Sequence, residues 1–298
     1  RRATRRSRGN GKRPDLALRN STHIYSYLDK PTPGIRTTQE IVDTLTVGNQ
    51  GEHNHAILTC KPLCLPDADL LIDPYVLGAW LGDGTSTSGD ITGIDREIFD
   101  EIEKSGYVVS VRNNNTFGIL KLKGLLRDIG VLSNKHIPIK YLRASLPQRL
   151  ALLQGLMDTD GTVDERGHCS FTNTNKQLVD GVYELIVSLG IKTTVRESRA
   201  KLYGKDCGAV YDMCFMTNLP VFRLPRKLAR QKMDDFNGVH KRRYIVDAVK
   251  VEPQLMCCIS VDSPDNTYLA GRSMIPTHNS YWLRWAMLSW ILYQAKMG

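Results

Sequence analysis

Two nine-residue stretches constrain this chain more than any other feature: Val76-Leu-Gly-Ala-Trp-Leu-Gly-Asp-Gly84 and Leu153-Gln-Gly-Leu-Met-Asp-Thr-Asp-Gly161, aligned at an offset of 77 residues. In each, small residues lie four apart, Gly78 and Gly82 in the first and Gly155 and Thr159 in the second. Positions i and i+4 share one helix face, so each stretch offers a flat strip that another backbone can approach closely. The spacing predicts two helices packed strip to strip, with Leu, Trp and Met filling the flanks. Each strip ends in Asp-Gly, so this packing brings Asp83 and Asp160 together at one end. Two adjacent carboxylates repel, and a divalent cation is the usual remedy. The glycine after each acid ends the helix and frees backbone carbonyls, at Gly84 and Gly161, beside it. Taken singly, either stretch is a core helix with an Asp near its C-terminus; the duplication is what argues for more.

The repetition extends past the helices. Each copy is followed by a predicted short strand (90–93; 169–172), a helix (95–105; 176–189) and a glycine turn at Gly106 or Gly190. Two strands follow (108–112 and 117–121; 192–197 and 209–216), and a basic helical segment closes each half (124–130; 222–233). Upstream, residues 23–65 carry short alternating stretches and one predicted helix, Thr38–Leu45, capped by Thr37 or Thr38 with Glu40 in its first turn. Residues 241–279 return to short strands, and 281–297, free of Pro and Gly, read as a mostly apolar helix.

A chain of 298 residues, 41% hydrophobic and 24% charged, is long enough for two domains and excludes wholesale disorder. No apolar run approaches the roughly 20 residues of a bilayer span, and the arginine-rich start does not fit a secretory signal. The net charge is +9, but Arg1, Arg2, Arg5, Arg6, Arg8, Lys12 and Arg13 supply most of it, leaving +2 for the remainder. The basic balance hints at nucleic acid, while the arm alone reads as a solvated tail. Seven irregularly spaced cysteines, with Cys257 and Cys258 adjacent and no second pair to join Cys60 and Cys64 around zinc, point to reduced thiols in a cytoplasmic compartment.

Over residues 72–235 the duplicated pattern resembles the two motifs of the LAGLIDADG homing endonucleases. The resemblance implies an α+β, pseudo-symmetric two-repeat fold in one monomer, with paired helices at the interface and sheets that saddle double-stranded DNA. It implies that Asp83 and Asp160, with the carbonyls of Gly84 and Gly161, hold Mg2+, Mn2+ being able to substitute, and activate water for hydrolysis of the two strands. Lys135, in Asn134-Lys-His-Ile-Pro138, matches the family's Lys-x-Ile-Pro block and would stabilise transition-state charge or orient the nucleophile. Lys227, in Arg226-Lys-Leu-Ala-Arg, is the second-half candidate, with plain surface charge as the competing reading. Arg112, Lys121, Lys123, Lys192, Arg196 and Arg199 would supply phosphate and base contacts, although each alone also reads as a solvated side chain.

Residues 268–280, Tyr-Leu-Ala-Gly-Arg-Ser-Met-Ile-Pro-Thr-His-Asn-Ser, resemble the C-terminal splice junction of an intein. The Asn279 amide can attack its own carbonyl through a five-membered ring, His278 can donate a proton to the departing amine, and Ser280 supplies the accepting hydroxyl. Cys258, in Cys257-Cys-Ile-Ser-Val-Asp262, and Thr277 before His278 match a third intein class, whose internal cysteine forms a branched thioester; the register leaves Cys257 as the alternative. His23, in Ser21-Thr-His-Ile-Tyr25, resembles the histidine that activates the upstream junction, with Asn20 and Tyr25 where that class has Thr and Trp. The first splicing block is absent, which leaves a fragment or a lost segment as alternatives. The expected organisation is a LAGLIDADG domain at 71–240 inserted in an incomplete all-β Hint splicing domain (13–70 and 241–279). Residues 1–12 would be an N-extein remnant or basic arm, and 280–298 a C-extein helix. Joining Lys12 to Ser280 gives Ser-Arg-Gly-Asn-Gly-Lys-Ser-Tyr-Trp-Leu-Arg-Trp, which resembles a phosphate-binding loop and the helix after it in phage terminase large subunits. The expected setting is therefore a bacterial or phage-infected cell. The competing reading is a catalytically inactive DNA-binding relative, or a decayed intein within such an ATPase.

Overall fold

The computed structural model describes residues 34–278, apart from 35, 50, 114, 204, 234–239, 253–254, 256–258, 260 and 265–266. The described residues fall into two units, one holding 34–56 with 244–252 and the other 57–243 with 255–278. In the first unit, helix α1 (Thr38–Asp43) opens with a reciprocal cap. The Glu40 amide donates to Thr37 Oγ1 at 3.2 Å and the Thr37 amide to Glu40 Oε2 at 2.7 Å. The helix stops short of Leu45, where the chain enters a hairpin of β1 (Thr46–Val47) and β2 (Glu52–His53). Strand β3 (Ala56–Leu58) follows.

The second unit holds the two Asp-Gly helices and the sheets that follow them. Helix α2 (Pro74–Asp83) is started by Asp73, whose carboxylate accepts from the amides of Tyr75 and Val76. It is followed by β4 (Asp90–Thr92), α3 (Arg96–Lys104), β5 (Val109–Asn113), β6 (Thr116–Ile119) and α4 (Leu122–Asp128). After a short α5 (Ile139–Leu142), α6 (Leu146–Thr159) begins at a Ser145–Gln148 capping box. It leads into β7 (Gly161–Val163), β8 (Cys169–Asn173), α7 (Lys176–Ser188), β9 (Thr194–Leu202), β10 (Lys205–Phe215) and α8 (Pro225–Leu228). The turns after α3 and α7 use Gly106 at φ +87° and Gly190 at φ +75°, a region that side chains with a Cβ rarely adopt.

Each half builds an antiparallel sheet, β4-β6-β5 in the first and β7-β8-β10-β9 in the second. Strand alternation sorts the side chains. In the first sheet Ile91, Val109, Phe117 and Ile119 face the core, and Asp90, Ser110, Arg112 and Gly118 take the opposite face. In the second, Phe171, Val195, Met213 and Phe215 are inward, leaving Thr172, Arg196 and Asp212 outward. A continuous core centres on α2 and α6, where Trp80, Leu77, Leu153 and Leu156 are fully buried. Burial of this kind contributes about 1.5–3 kcal/mol per large apolar side chain.

Several boundaries differ from the sequence reading. Strand β6 ends at Ile119, because Lys121 adopts φ +66° and turns the chain into α4. The basic stretch at 222–233 forms only the four-residue α8. Strand β7 has no counterpart of its own length in the first half, where Gly84 makes a single bridge to Ile91. β11 (Arg242–Tyr244) is followed by the hairpin of β12 (Thr267–Ala270) and β13 (Ile275–His278), with Thr277 opposite Tyr268. The tip of that hairpin rests on α7: Ser273 Oγ lies 2.7 Å from the Tyr183 hydroxyl, and Arg272 pairs with Asp180 and stacks 4.8 Å over the Tyr183 ring.

Candidate functional site

Helices α2 and α6 meet along their glycines. A Cβ added at Gly78 would stand 2.2 Å from the Leu152 carbonyl oxygen, and one at Gly155 2.2 Å from that of Tyr75. The strip predicted from the spacing is thus a backbone-to-backbone contact that admits no side chain. One turn further on, a Cβ at Gly82 would meet Thr159 Oγ1 at 2.1 Å and Asp160 Cγ at 3.5 Å, so the Asp160 carboxylate sits against the end of α2. Asp83 is the last residue of α2 and Asp160 the C-cap of α6, and both are half-buried.

Electrostatics tie the two acids to each other and to two lysines. Burial pushes the Asp83 carboxyl above its ordinary range, and the Asp160 charge adds to the shift, while Lys135 and Lys227 oppose it. Asp160 is also raised by burial, against a hydrogen bond from Asn173 and the same two lysines. Both ammonium groups are pulled below their usual range by burial, opposed by Asp160 and Asp83 at Lys135 and chiefly by Asp158 at Lys227. Lys135 Nζ donates to the Gly82 carbonyl at 2.9 Å and lies 5.2 Å over the Trp80 ring. Lys227 Nζ donates to the carbonyls of Met157 (2.9 Å), Asp158 (2.7 Å) and Gly161 (2.7 Å), at the end of α6.

Neither of the two glycines after the acids adopts a left-handed turn. Gly84 is extended at φ −74°, and Gly161 starts β7. Their lack of a side chain matters for space: a Cβ at Gly84 would lie 2.3 Å from the Trp80 carbonyl oxygen, and one at Gly161 2.5 Å from that of Met157. The Gly161 carbonyl, expected to be open, accepts from Lys227 instead.

The donor set suits a hard divalent cation: two half-buried carboxylates, one raised by the other's charge, with no third His, Cys, Asp or Glu beside them among the described residues. Such a pair leaves coordination positions for water or phosphate oxygens, the usual habit of Mg2+.

Of the six basic residues expected along the DNA face, three are on strands. Arg112 lies on the outer face of the first sheet, its Nε where a Gly118 Cβ would be 2.4 Å away, and 3.8 Å from Asp90. Arg196 is exposed on the outer face of the second sheet, in register with Asp212. Arg199, three residues on, belongs to the other face and is paired with Asp206 at 2.7 Å. Lys121 and Lys123 are exposed but lie in a turn and in α4, and Lys192 is half-buried in the connection before β9. Of the expected splicing residues, Thr277 is on β13, its hydroxyl donating to the Ile275 carbonyl at 3.0 Å, and His278 closes that strand. His23, Cys257, Cys258, Asn279 and Ser280, with 1–12 and 280–298, lie outside the described residues.

The structure adds residues that sequence reasoning missed. Asn173 Nδ2 donates to Asp160 Oδ2 at 2.9 Å, and Asn175, the N-cap of α7, donates to the Lys135 carbonyl at 2.9 Å. Asn-Thr-Asn before a helix signals a cap, but a bond across 40 residues has no local signature. Asp158, 1% exposed, accepts from the Tyr75 hydroxyl at 2.9 Å and from the amides of Arg223 and Leu224. Arg223 in turn reaches Glu101 at 3.0 Å and stacks 4.1 Å over Tyr75, joining the end of the second half to α3 of the first.

Residues 147–214 match the LAGLIDADG-like domain family. The chain is 42% identical over 249 residues to a replicative DNA helicase DnaB of Mycobacterium intracellulare. The match covers 83% of this chain and 42% of that relative, so the chain spans about two-fifths of the relative's length. Among solved structures it is similar to the homing endonuclease I-DmoI in complex with DNA and Ca, at 17% identity and a TM-score of 0.35 over 53% of this chain and 95% of that one. Mesophilic variants of I-DmoI match at 18% identity and a TM-score of 0.32, over 49% and 88%. No helix among the described residues is long and apolar enough to cross a membrane.

Proposed function

We propose that the chain is a divalent-metal-dependent, double-strand DNA endonuclease of the LAGLIDADG kind, working as a pseudo-symmetric monomer and carried within an intein. The observation that carries this reading is the Gly78–Gly155 contact, which sets Asp83 and Asp160 into one site flanked by two lysines. The family match at 147–214 takes in α6 and Asp160. Asp83 and Asp160 are the residues that would hold Mg2+ or Mn2+, and the cation when bound would polarise a phosphodiester and favour deprotonation of water. The protein's own part is to hold both carboxylates side by side, with Asn173 orienting Asp160. Lys135 brings a cation beside the pair to oppose charge that builds on the phosphate. Arg112 and Arg196, each on an outer sheet face, would contact duplex backbone.

The splicing reading rests on residue chemistry at the C-terminal junction: cyclisation of Asn279 assisted by His278, with Cys258 as internal nucleophile and Ser280 as acceptor. The expected host was a terminase with a phosphate-binding loop. A much longer relative named as a replicative helicase points instead to an insertion in a replication protein.

The test uses a plasmid in which the codons for residues 1–12 run directly into those for 280–298. With Mg2+ the wild-type protein is expected to linearise it, and Asp83→Asn or Asp160→Asn to lose cleavage by about 100-fold or more while retaining DNA affinity. Equal loss of binding and cleavage in both variants would refute the assigned role. Release of the segment after Asn279, abolished in Asn279→Ala, tests the splicing half separately.

A further inference from the structure

The two halves repeat the same elements, yet their lysines are held differently. An ammonium group has three N–H donors. At Lys227 all three are engaged, by the carbonyls of Met157, Asp158 and Gly161 at 2.7–2.9 Å, with the Thr159 carbonyl at 3.5 Å as a further neighbour. These carbonyls include the last ones of α6, which a helix leaves without intrahelical partners. Lys227 therefore closes the C-terminus of that helix, where the helix dipole also favours a cation. At Lys135 one donor goes to the Gly82 carbonyl and no second acceptor is engaged among the described residues.

The acids show the same inequality. Asp160 accepts from Asn173, which lies two residues before the cap of α7. The corresponding position before the cap of α3 is Gly93, which has no side chain to offer, and the Asp83 carboxylate accepts no hydrogen bond among the described residues. Behind Lys227 stands the buried Asp158, held by Tyr75 and the amides of Arg223 and Leu224. Its counterpart in the first repeat is Leu81.

We infer that the two half-sites are chemically unequal: Asp83 and Lys135 act directly on one DNA strand, whereas Lys227 is a positioning residue that holds the end of α6 and acts only through Asp160. This rests on the nuclease reading. For Lys227 to reach a phosphate it must first give up a bond to the carbonyl of a buried residue, at a cost of roughly 1–3 kcal/mol, and Lys135, with donors to spare, faces no such cost. The strand served by Lys135 is cut first, and a nicked intermediate accumulates.

The experiment follows both strands of the supercoiled plasmid described above, with Mg2+. Wild-type protein is expected to give open circle before linear DNA. Lys135→Met should stop one strand, by about 100-fold, and leave nicked product. Lys227→Met should slow both strands by the same factor, leaving their ratio unchanged, and Lys227→Arg should restore part of the rate. A Lys227→Met enzyme that nicks the opposite strand from Lys135→Met would overturn the inference. Should Lys227→Met fail to fold, amine-selective labelling of the folded wild-type protein without DNA decides the matter. Lys135 is expected to react about 10-fold faster than Lys227, the effect of roughly one net hydrogen bond, and equal rates would overturn the inference. A plasmid that the wild-type protein leaves intact would count against the nuclease reading, while the labelling ratio still reports on the lysines.

Discussion

Asp83 is charged at a cost. Burial and the neighbouring Asp160 raise its carboxyl in the folded state above the ordinary 3.8. The folded chain therefore binds this proton more tightly than the unfolded chain does. The resulting stabilisation is fully present below the unfolded value, is lost as pH rises through the raised folded value, and is absent at neutral pH. Asp83→Asn removes the charge without stranding a partner, so the metal-free variant is expected to melt higher than wild type at pH 7 and to show a flatter stability profile on acidification. If both carboxylates must be ionised for cleavage, as the proposed function has it, wild-type activity is expected to fall away at a higher pH than an ordinary Asp would give. A melt that is unchanged or lowered by Asp83→Asn would contradict this placement. Arg149 makes the converse point. It is fully buried with no acid as partner among the described residues, and its guanidinium donates to the carbonyls of Ala144 (2.9 Å), Ser188 (2.7 Å) and Leu63. Arg149→Met strands these acceptors, and denaturant unfolding is expected to show a loss of roughly 3 kcal/mol.

At the scale of elements, the pair α2 and α6 succeeds because two glycines let backbones touch. Gly78→Ala places a methyl 2.2 Å from the Leu152 carbonyl oxygen, a contact that only a separation of the helices relieves. A cost of about 1–3 kcal/mol is expected, with a larger proportional loss of cleavage than of DNA binding, because the acids at the helix ends move apart. Gly124, inside α4 with open space around it, is the control: Gly124→Ala is expected to stabilise by about 0.5–1 kcal/mol. Thermal melts of the two variants should move in opposite directions. Pattern reasoning reached these helices because a four-residue spacing of small side chains is itself a statement about one helix face. It placed α3 and α7 within a residue or two for the same reason, since their apolar positions recur with the helical period. The strands were harder. Their ends are set by where cross-strand partners stop, and β9 and β10 run well beyond the apolar residues that marked them.

Across the whole molecule, the two sheets decide which basic residues would serve DNA under the proposed nuclease reading. Arg196 and Arg199 look alike in the sequence, but three positions along a strand put them on opposite faces, and Arg199 is already paired with Asp206. Arg196→Ala is expected to weaken duplex binding and to reduce the slope of log affinity against log salt by about 0.9, the release of one counterion. Arg199→Ala is expected to change the slope far less. Binding titrations from 50 to 200 mM salt would separate them. The duplicated Asp-Gly helices, their glycine faces and the meeting of Asp83 with Asp160 were legible from residues alone, because each is a consequence of local periodicity repeated twice. Sequence left open which donor serves which acid. Asn173 reaching Asp160, Asn175 holding the Lys135 carbonyl, and Lys227 closing α6 instead of standing free are contacts between segments 13 to 70 residues apart. No pattern along the chain encodes them, since the packing of each sheet against the paired helices sets the distances at which side chains meet.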